Sequence, residues 1–340
     1  MEKVDQNLNK RRLNLIANYR RPDLRKSIWQ IINTVIPYFA LWVVMIYSTQ
    51  LSWWLVLPLA ILTSGFVVRA FIIFHDCGHG AFFKSEYAND MVGSFMGILT
   101  LTPYYRWHNS HRVHHGTSGN LDKRGVGDVW TMTTDEYSNA SLKQKRLYKL
   151  YRNPIIMFLI GGPLVFMILN RFTRKDFTRK EKYSVYATNI GILAIALFII
   201  AFTGVSTFLL IQVLVMYFAA VAGVYLFYVQ HQFPDVHWFD DSDWDYSTVA
   251  IHGSSYFKLP KIMQWFSGNI GFHHIHHLSS GIPNYNLEKC YNENKEFQDI
   301  NPLTFWKSFS TLKLKLWDEQ SQKLMTWDEA KSLYPTNTKN

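Results

Sequence analysis

Cysteine is nearly absent from this chain, with Cys77 and Cys290 the only two among 340 residues. That excludes a Cys-held iron–sulfur cluster, a cysteine-rich zinc site and a disulfide-built scaffold. No glycine-rich nucleotide fingerprint is present. Nor is there a Glu-x-x-His pair, so the carboxylate–histidine bundle of soluble two-metal proteins is excluded as well. Acidic residues are outnumbered, 25 against 35 Lys and Arg, for a formal net charge of +10.

Charge is also missing locally. The mean hydropathy of −0.06 hides long apolar runs separated by charged segments, the profile of a membrane protein with large aqueous parts. A spanning helix needs roughly 20 predominantly apolar residues. Four runs qualify, at about 28–48, 52–74, 184–203 and 206–228. Two shorter runs, about 91–103 and 155–169, carry Gly or Pro and are expected to be re-entrant or interfacial.

The N-terminal residues 1–27 are too charged for a cleavable signal peptide and are expected in the cytoplasm. If 155–169 crossed alone, the basic RFTRKDFTRKEK at 171–182 would lie outside, against the positive-inside tendency. The expected fold is therefore an all-α integral membrane protein of four transmembrane helices in two hairpins, with re-entrant or interfacial helices and a helical cytoplasmic cap. The expected organisation is a basic cytoplasmic segment (1–27), a transmembrane region (28–228) with a cytoplasmic insert (75–183), and a cytoplasmic cap with tail (229–340). Both cysteines then face the reducing side, and no disulfide is expected.

What the chain does have is histidine. All 13 lie between positions 75 and 277. HDCGHG supplies His75 and His79, HNSHRVHH supplies His108, His111, His114 and His115, and HHIHH supplies His273, His274, His276 and His277. His231 stands alone after the last apolar run, and His237 and His252 follow. Residues at i, i+3 and i+4 share a helix face. His75 and His79 are thus neighbours, as are His111, His114 and His115, and His273, His276 and His277, while His274 points elsewhere. Spacing alone does not exclude His108.

A single interfacial histidine is ordinarily an amphipathic side chain, and that is the reading for His237 and His252. Two H-x-x-H-H boxes plus an H-x-x-x-H on one membrane face are another matter. With His231 they make nine imidazoles, too many for one four-coordinate zinc, so two metal ions are implied. Imidazole suits iron, zinc, copper and nickel alike. A dinuclear zinc hydrolase would ordinarily add a bridging carboxylate, and the acids beside the boxes, Asp76, Asp128 and Asp235, are few.

HDCGHGAFF, WHNSHRVHHGTSGNLDKRG, YVQHQF and GNIGFHHIHHLSSGIPNYNL together resemble the histidine boxes of the membrane-bound fatty acid desaturases, with the bacterial acyl-lipid Δ5 desaturases of Gram-positive bacilli the nearest match. The likeness runs from about residue 28 to the LWDE at 316–319. Carried over position by position, it implies a di-iron centre held by His75, His79, His111, His114, His115, His231, His273, His276 and His277. One difference is Pro234, where the family often has an acid; Asp235 follows it. Asp76 and Asp235 are candidates to orient ligand imidazoles, or are solvated surface acids.

The resemblance implies an oxygen-dependent oxidoreductase that places a cis double bond in the acyl chains of membrane lipids at the cytoplasmic side of the cell membrane. It needs two iron ions, O2 as co-substrate and two electrons. The chain has no electron-transfer centre of its own and no length for a fused cytochrome domain, so a separate ferredoxin or flavodoxin with its reductase is the expected donor. A Lys/Arg-rich face would steer such an acidic carrier, or would only set topology and bind anionic lipid. Basicity here does not signal nucleic acid. The competing readings are a hydroxylase or ketolase on the same scaffold, a membrane zinc hydrolase, and a non-enzymatic metal-binding receptor or transporter. The last should place ionisable groups at the bilayer midplane, where the four spans have almost none.

Overall fold

In the computed structural model, which describes residues 6–333, α1 (Gln6–Ile16) ends on the buried Ile16. Asp23 then caps α2 (Leu24–Leu51), its carboxylate accepting the Arg25 and Lys26 amide hydrogens. The chain turns through Trp53–Leu55 into α3 (Val56–Gly78), and α4 (Glu86–Leu99) and α5 (Tyr104–Thr117) pack back against it. Two short helices follow, α6 (Thr134–Asn139) and α7 (Leu142–Tyr151), each opened by a reciprocal capping box. The second hairpin is α8 (Arg179–Thr203) and α9 (Val205–His231), joined at Gly204, whose φ of 78° suits a residue without Cβ.

Among the described residues, four helical segments are long and apolar enough to cross a membrane: 24–51, 53–78, 179–203 and 205–231. They coincide with the four expected runs, but the second and fourth continue to residues 78 and 231, carrying His75 and His231 on the helices themselves. Burial separates inner from outer helices. In the most apolar stretch of each, 61% of 53–78 is buried against 11% of 179–203, so α3 is the central post and α8 faces outward. Residues 155–169 are not regular α-helix. They wind largely as π-helical turns, Ile155–Gly161 and Leu164–Ile168, joined through helical Gly162 and Pro163, and the 155–171 stretch is bent 65° from α7 at the break between them.

After α9 come α10 (Tyr246–His252), β1 (Phe257–Lys258), α11 (Lys261–Phe266), α12 (His273–Leu278) and α13 (Asn284–Glu293). The chain closes with β2 (Leu303–Thr304), which pairs in parallel with β1, then α14 (Phe305–Ser308), the antiparallel pair β3 (Leu314–Asp318) and β4 (Lys323–Thr326), and α15 (Trp327–Leu333). The C-terminal part is thus mostly helical, as expected, with two short strand pairs added. Both pairs are small, and β3 is pinned to the rest by the buried Trp317, whose amide donates to the Met132 carbonyl.

A buried cation ties this C-terminal part to the spans. Arg152 donates to the carbonyls of Trp130 and Leu314, to Thr131 Oγ1 and to Gln232 Oε1, the residue after His231. Its charge is therefore met by oxygens on four sides. Cys77 and Cys290 are free and buried in separate apolar clusters.

Candidate metal centre

Four elements bring histidine to one end of the bundle. His75 lies in the last turn of α3 and His79 just past its end; His111, His114 and His115 lie on α5; His231 is the last residue of α9. The fourth element, α12, is only six residues long and depends on the turn before it. Gly268 has φ 53° and Asn269 φ 59°, and a Cβ at Gly271 would stand 2.3 Å from the Phe257 carbonyl oxygen. The GNIG run thus sets α12 against β1, where a larger residue at 271 could not fit.

The imidazoles gather in two groups. His75, His79, His111, His115 and His276 can each offer a nitrogen within 4.8 Å of all the others; His114, His231 and His277 form a second such set. In the first, His115 Nε2 is 3.1 Å from both His111 Nε2 and His276 Nε2. In the second, His114 Nε2 is 3.2 Å from His231 Nε2. His273 falls outside both by that measure, yet its Nε2 is 3.0 Å from His231 Nε2 and its ring centroid 4.5 Å from that of His277.

This donor set fits metal ions. Two nitrogens each about 2.1 Å from one ion, at angles of 90° to 110°, lie roughly 3.0–3.4 Å apart, which is the spacing seen here. His79 Nε2 in the first group and His277 Nε2 in the second are buried with no hydrogen-bond partner. Burial, reinforced by the neighbouring imidazoles, holds His79, His111, His115, His273, His276 and His277 well below the usual histidine pKa. The rings are thus neutral near pH 7, with a lone pair to give. Neither group includes a carboxylate.

Carboxylates instead stand behind the rings. Asp76 Oδ1 is 3.1 Å from His75 Nδ1, while Asp76 Oδ2 accepts both the Asn284 amide (2.7 Å) and Asn284 Nδ2 (2.8 Å). Asp128 Oδ1 is 2.6 Å from His114 Nδ1. Such contacts select the tautomer that leaves Nε2 free to bind. Asp76 thus stands where an orienting carboxylate would. Asp235 does not: it sits in the exposed turn after Pro234 and its carboxylate accepts from Asn301. Sequence reasoning named Asp128 only as a nearby acid, and its signal was the glycine-flanked GVGDV turn. Gly125 and Gly127 have φ 119° and 75°, a conformation that swings the carboxylate back over α5. Asn284 gave no signal beyond its place in the IPNYN run.

The remaining histidines lie elsewhere. His108 joins neither group and stacks loosely on Tyr104. His274 is fully buried but points away, with Nε2 3.2 Å from the Phe297 carbonyl oxygen. His237 and His252 are exposed.

A cavity of about 480 Å3 runs from the histidines into the bundle between α3, α5, α9 and the 164–168 turns. His75, His111 and His273 form part of its wall, Phe71, Met216 and Phe227 line its apolar length, and Arg106 and Asn170 supply polar groups. Its size lies within the roughly 300–1,000 Å3 of ligand pockets.

Comparison with known proteins agrees with this arrangement. The sequence model of one family, described as fatty acid desaturase, matches residues 52–309. The chain is 43% identical over 318 residues to a protein of Bacillus subtilis (strain 168) named fatty acid desaturase, covering 94% of this chain and 90% of that protein. It is 27% identical over 292 residues to the sn-1 acyl-lipid omega-3 desaturase (ferredoxin) of Nostoc sp. (strain 36), with 79% and 75% covered. A third relative, the sn-1 oleoyl-lipid 12-desaturase of a Picosynechococcus strain, is 27% identical over 247 residues, with 70% and 69% covered.

Proposed function

We propose, from the premise that this chain belongs to the fatty acid desaturase family, that it is an oxygen-dependent di-iron acyl-lipid desaturase forming a cis double bond in membrane-lipid acyl chains, at Δ5. The observation that carries this reading is the position of the two imidazole groups: they end an apolar cavity of about 480 Å3 that opens along the spans.

His75, His79, His111, His115 and His276 would hold one iron ion, and His114, His231, His277 and His273 the other. Iron bound there supplies the reductive activation of O2. In the overall reaction two adjacent methylenes lose two hydrogens, and O2, two electrons and two protons become two waters. The chain's own share is positional. Phe71, Met216 and Phe227 exclude water from the acyl chain, and the cavity sets its methylenes against the His75 and His111 wall. Asp76 and Asp128 keep His75 and His114 in one tautomer.

In this reading the histidines, the 75–183 insert and residues 229–340 lie on the cytoplasmic side of the cell membrane. That placement follows from the positive-inside tendency of the Lys/Arg clusters. Electrons come from a small acidic carrier. Relatives named as ferredoxin-dependent support a ferredoxin, and the basic charge balance suits its steering.

The test is expression in a bacterium without polyunsaturated or mid-chain unsaturated lipids, with mass-spectrometric localisation of double bonds in its membrane fatty acids. New cis-unsaturated chains that need O2 are expected. Hydroxylated or oxo products would transfer the chain to an oxygenase reading instead. The cavity assignment carries its own prediction. Gly223 lines the cavity, and a Cβ there meets nothing within 4 Å. Gly223→Phe should therefore still fold but shift products toward shorter acyl chains; an unchanged chain-length profile would remove the acyl chain from this cavity.

A further inference from the structure

Sharing no wall residue with the acyl cavity, a second cavity of about 330 Å3 lies between the start of α2, α11 and α13, and Arg69 forms part of its wall. Arg69 is nine residues before the end of α3, about 13 Å down the helix. The residue is 7% exposed, its guanidinium stacked 4.0 Å over the Trp265 ring, with Nη1 donating to the Trp265 carbonyl. Nε is buried without a partner, and among the described residues no carboxylate pairs with this guanidinium. Arg152, the other deeply buried arginine, has oxygens on four sides; Arg69 has one. A buried cation left like this is costly and calls for an anion.

The rest of the wall suits one. Lys26 and Lys261 add two ammonium groups, and the sole carboxylate, Glu288, already pairs with Lys261 at 2.5 Å. The cavity therefore keeps an excess of positive charge. Its surroundings place that charge at a lipid interface. Gly65 admits the Phe266 ring against α3, since a Cβ there would stand 2.8 Å from Phe266 Cδ1, so α11 lies along the spanning helix. From α11 and α2, Ile262 and Trp29 project outward at 74% and 64% exposure, an apolar rim on which acyl chains can rest. Asn33 contributes a buried, unpartnered Oδ1 that a headgroup hydroxyl could satisfy.

We infer that this cavity binds the phosphate headgroup of an anionic glycerophospholipid, held by Arg69 with Lys26 and Lys261, at a site separate from the acyl cavity. Guanidinium and phosphate match in charge and in donor geometry. The bound lipid would complete the seam between α2, α3 and α11. Its wall residues Gln30 and Asn284 hydrogen-bond each other at 3.0 Å, and Asn284 holds Asp76 behind His75. The inference does not depend on the substrate assignment, because its readout is lipid binding and not turnover.

The test uses the purified, metal-loaded full chain in neutral detergent, titrated with phosphatidylglycerol, phosphatidylcholine or inorganic phosphate, and followed by thermal unfolding and by native mass spectrometry. Wild type should be stabilised by phosphatidylglycerol and retain one molecule in preference to phosphatidylcholine. Arg69→Met, which keeps the stem over Trp265, should weaken that retention about tenfold or more. Stabilisation by inorganic phosphate to the same extent would assign the site to a soluble phosphate and overturn the lipid. Unchanged phosphatidylglycerol retention in Arg69→Met would overturn the site itself. Should Arg69→Met fail to fold, the double variant Lys26→Gln/Lys261→Gln changes only exposed side chains. It should also lose the preference, and its keeping it would contradict the proposal.

Discussion

The two imidazole groups are made of the same rings at the same spacing, yet they are backed in different ways. Behind the first, Asp76 is 1% exposed and its second oxygen takes two hydrogen bonds from Asn284, which is bonded in turn to Gln30 on α2. Behind the second, Asp128 is 15% exposed and hangs on a glycine turn, with only the 3.3 Å Gly125 amide contact on its free oxygen. One support is a network crossing three helices, the other a single carboxylate on a loop. The contrast teaches that imidazole sets of like chemistry, five rings in the first and three with His273 beside them in the second, need not be equally rigid, and that the first group should tolerate change behind it least.

Removing a ring outright should erase the contrast. His276→Ala in the first group and His231→Ala in the second are each expected to abolish double-bond formation while the protein still inserts in membrane, checked by fatty acid analysis and immunoblot of membrane fractions. Retention of most activity by either variant would sink the assignment of that ring.

The backing residues should then rank. In Asp76→Asn one of two neighbours, His75 Nδ1–H or the Asn284 amide, must face an NH2 group, so donor meets donor. A loss toward the upper end of the roughly 10–100-fold range for such orienting residues is expected, with iron content falling alongside activity. In Asp128→Asn the amide oxygen can still accept from His114, so the loss should stay near the lower end of about tenfold. Equal losses would mean that the buried network adds nothing to the first group.

How far the site could be read in the sequence follows the same division. Helical spacing put the rings of each box near one another and sent His274 away, because α5 and α12 are regular there, but it could not foresee that His114 parts from His111 and His115, or His277 from His276, to make the second group. It could not place His108, which shares the α5 face pattern but joins neither group, since spacing says nothing of what stands opposite. The four spans were legible because the bilayer demands length and apolarity. The supports were not: Asp128 and Asn284 act through turns whose geometry depends on distant contacts. Of the two readings open for Asp235, the structure favours the surface acid, because a residue close to His231 in sequence lies in an exposed turn.

Smaller effects sharpen the picture further. Gly127→Ala would force φ 75° on a residue with Cβ and press it 3.1 Å from His114 Cβ. That should cost about 1–3 kcal/mol and give a weaker copy of Asp128→Asn. Weakest of all, His237→Ala and His252→Ala, both exposed and outside the groups, should leave product formation and iron content near wild type.

All of the proposed chemistry depends on two ions sitting in an all-imidazole cage. Elemental analysis of protein purified without oxygen tests it, with wild type set beside His276→Ala and His231→Ala. Two irons per wild-type chain, with at least one lost in each variant, is the predicted result. A single metal ion, or zinc in place of iron in active protein, would contradict it.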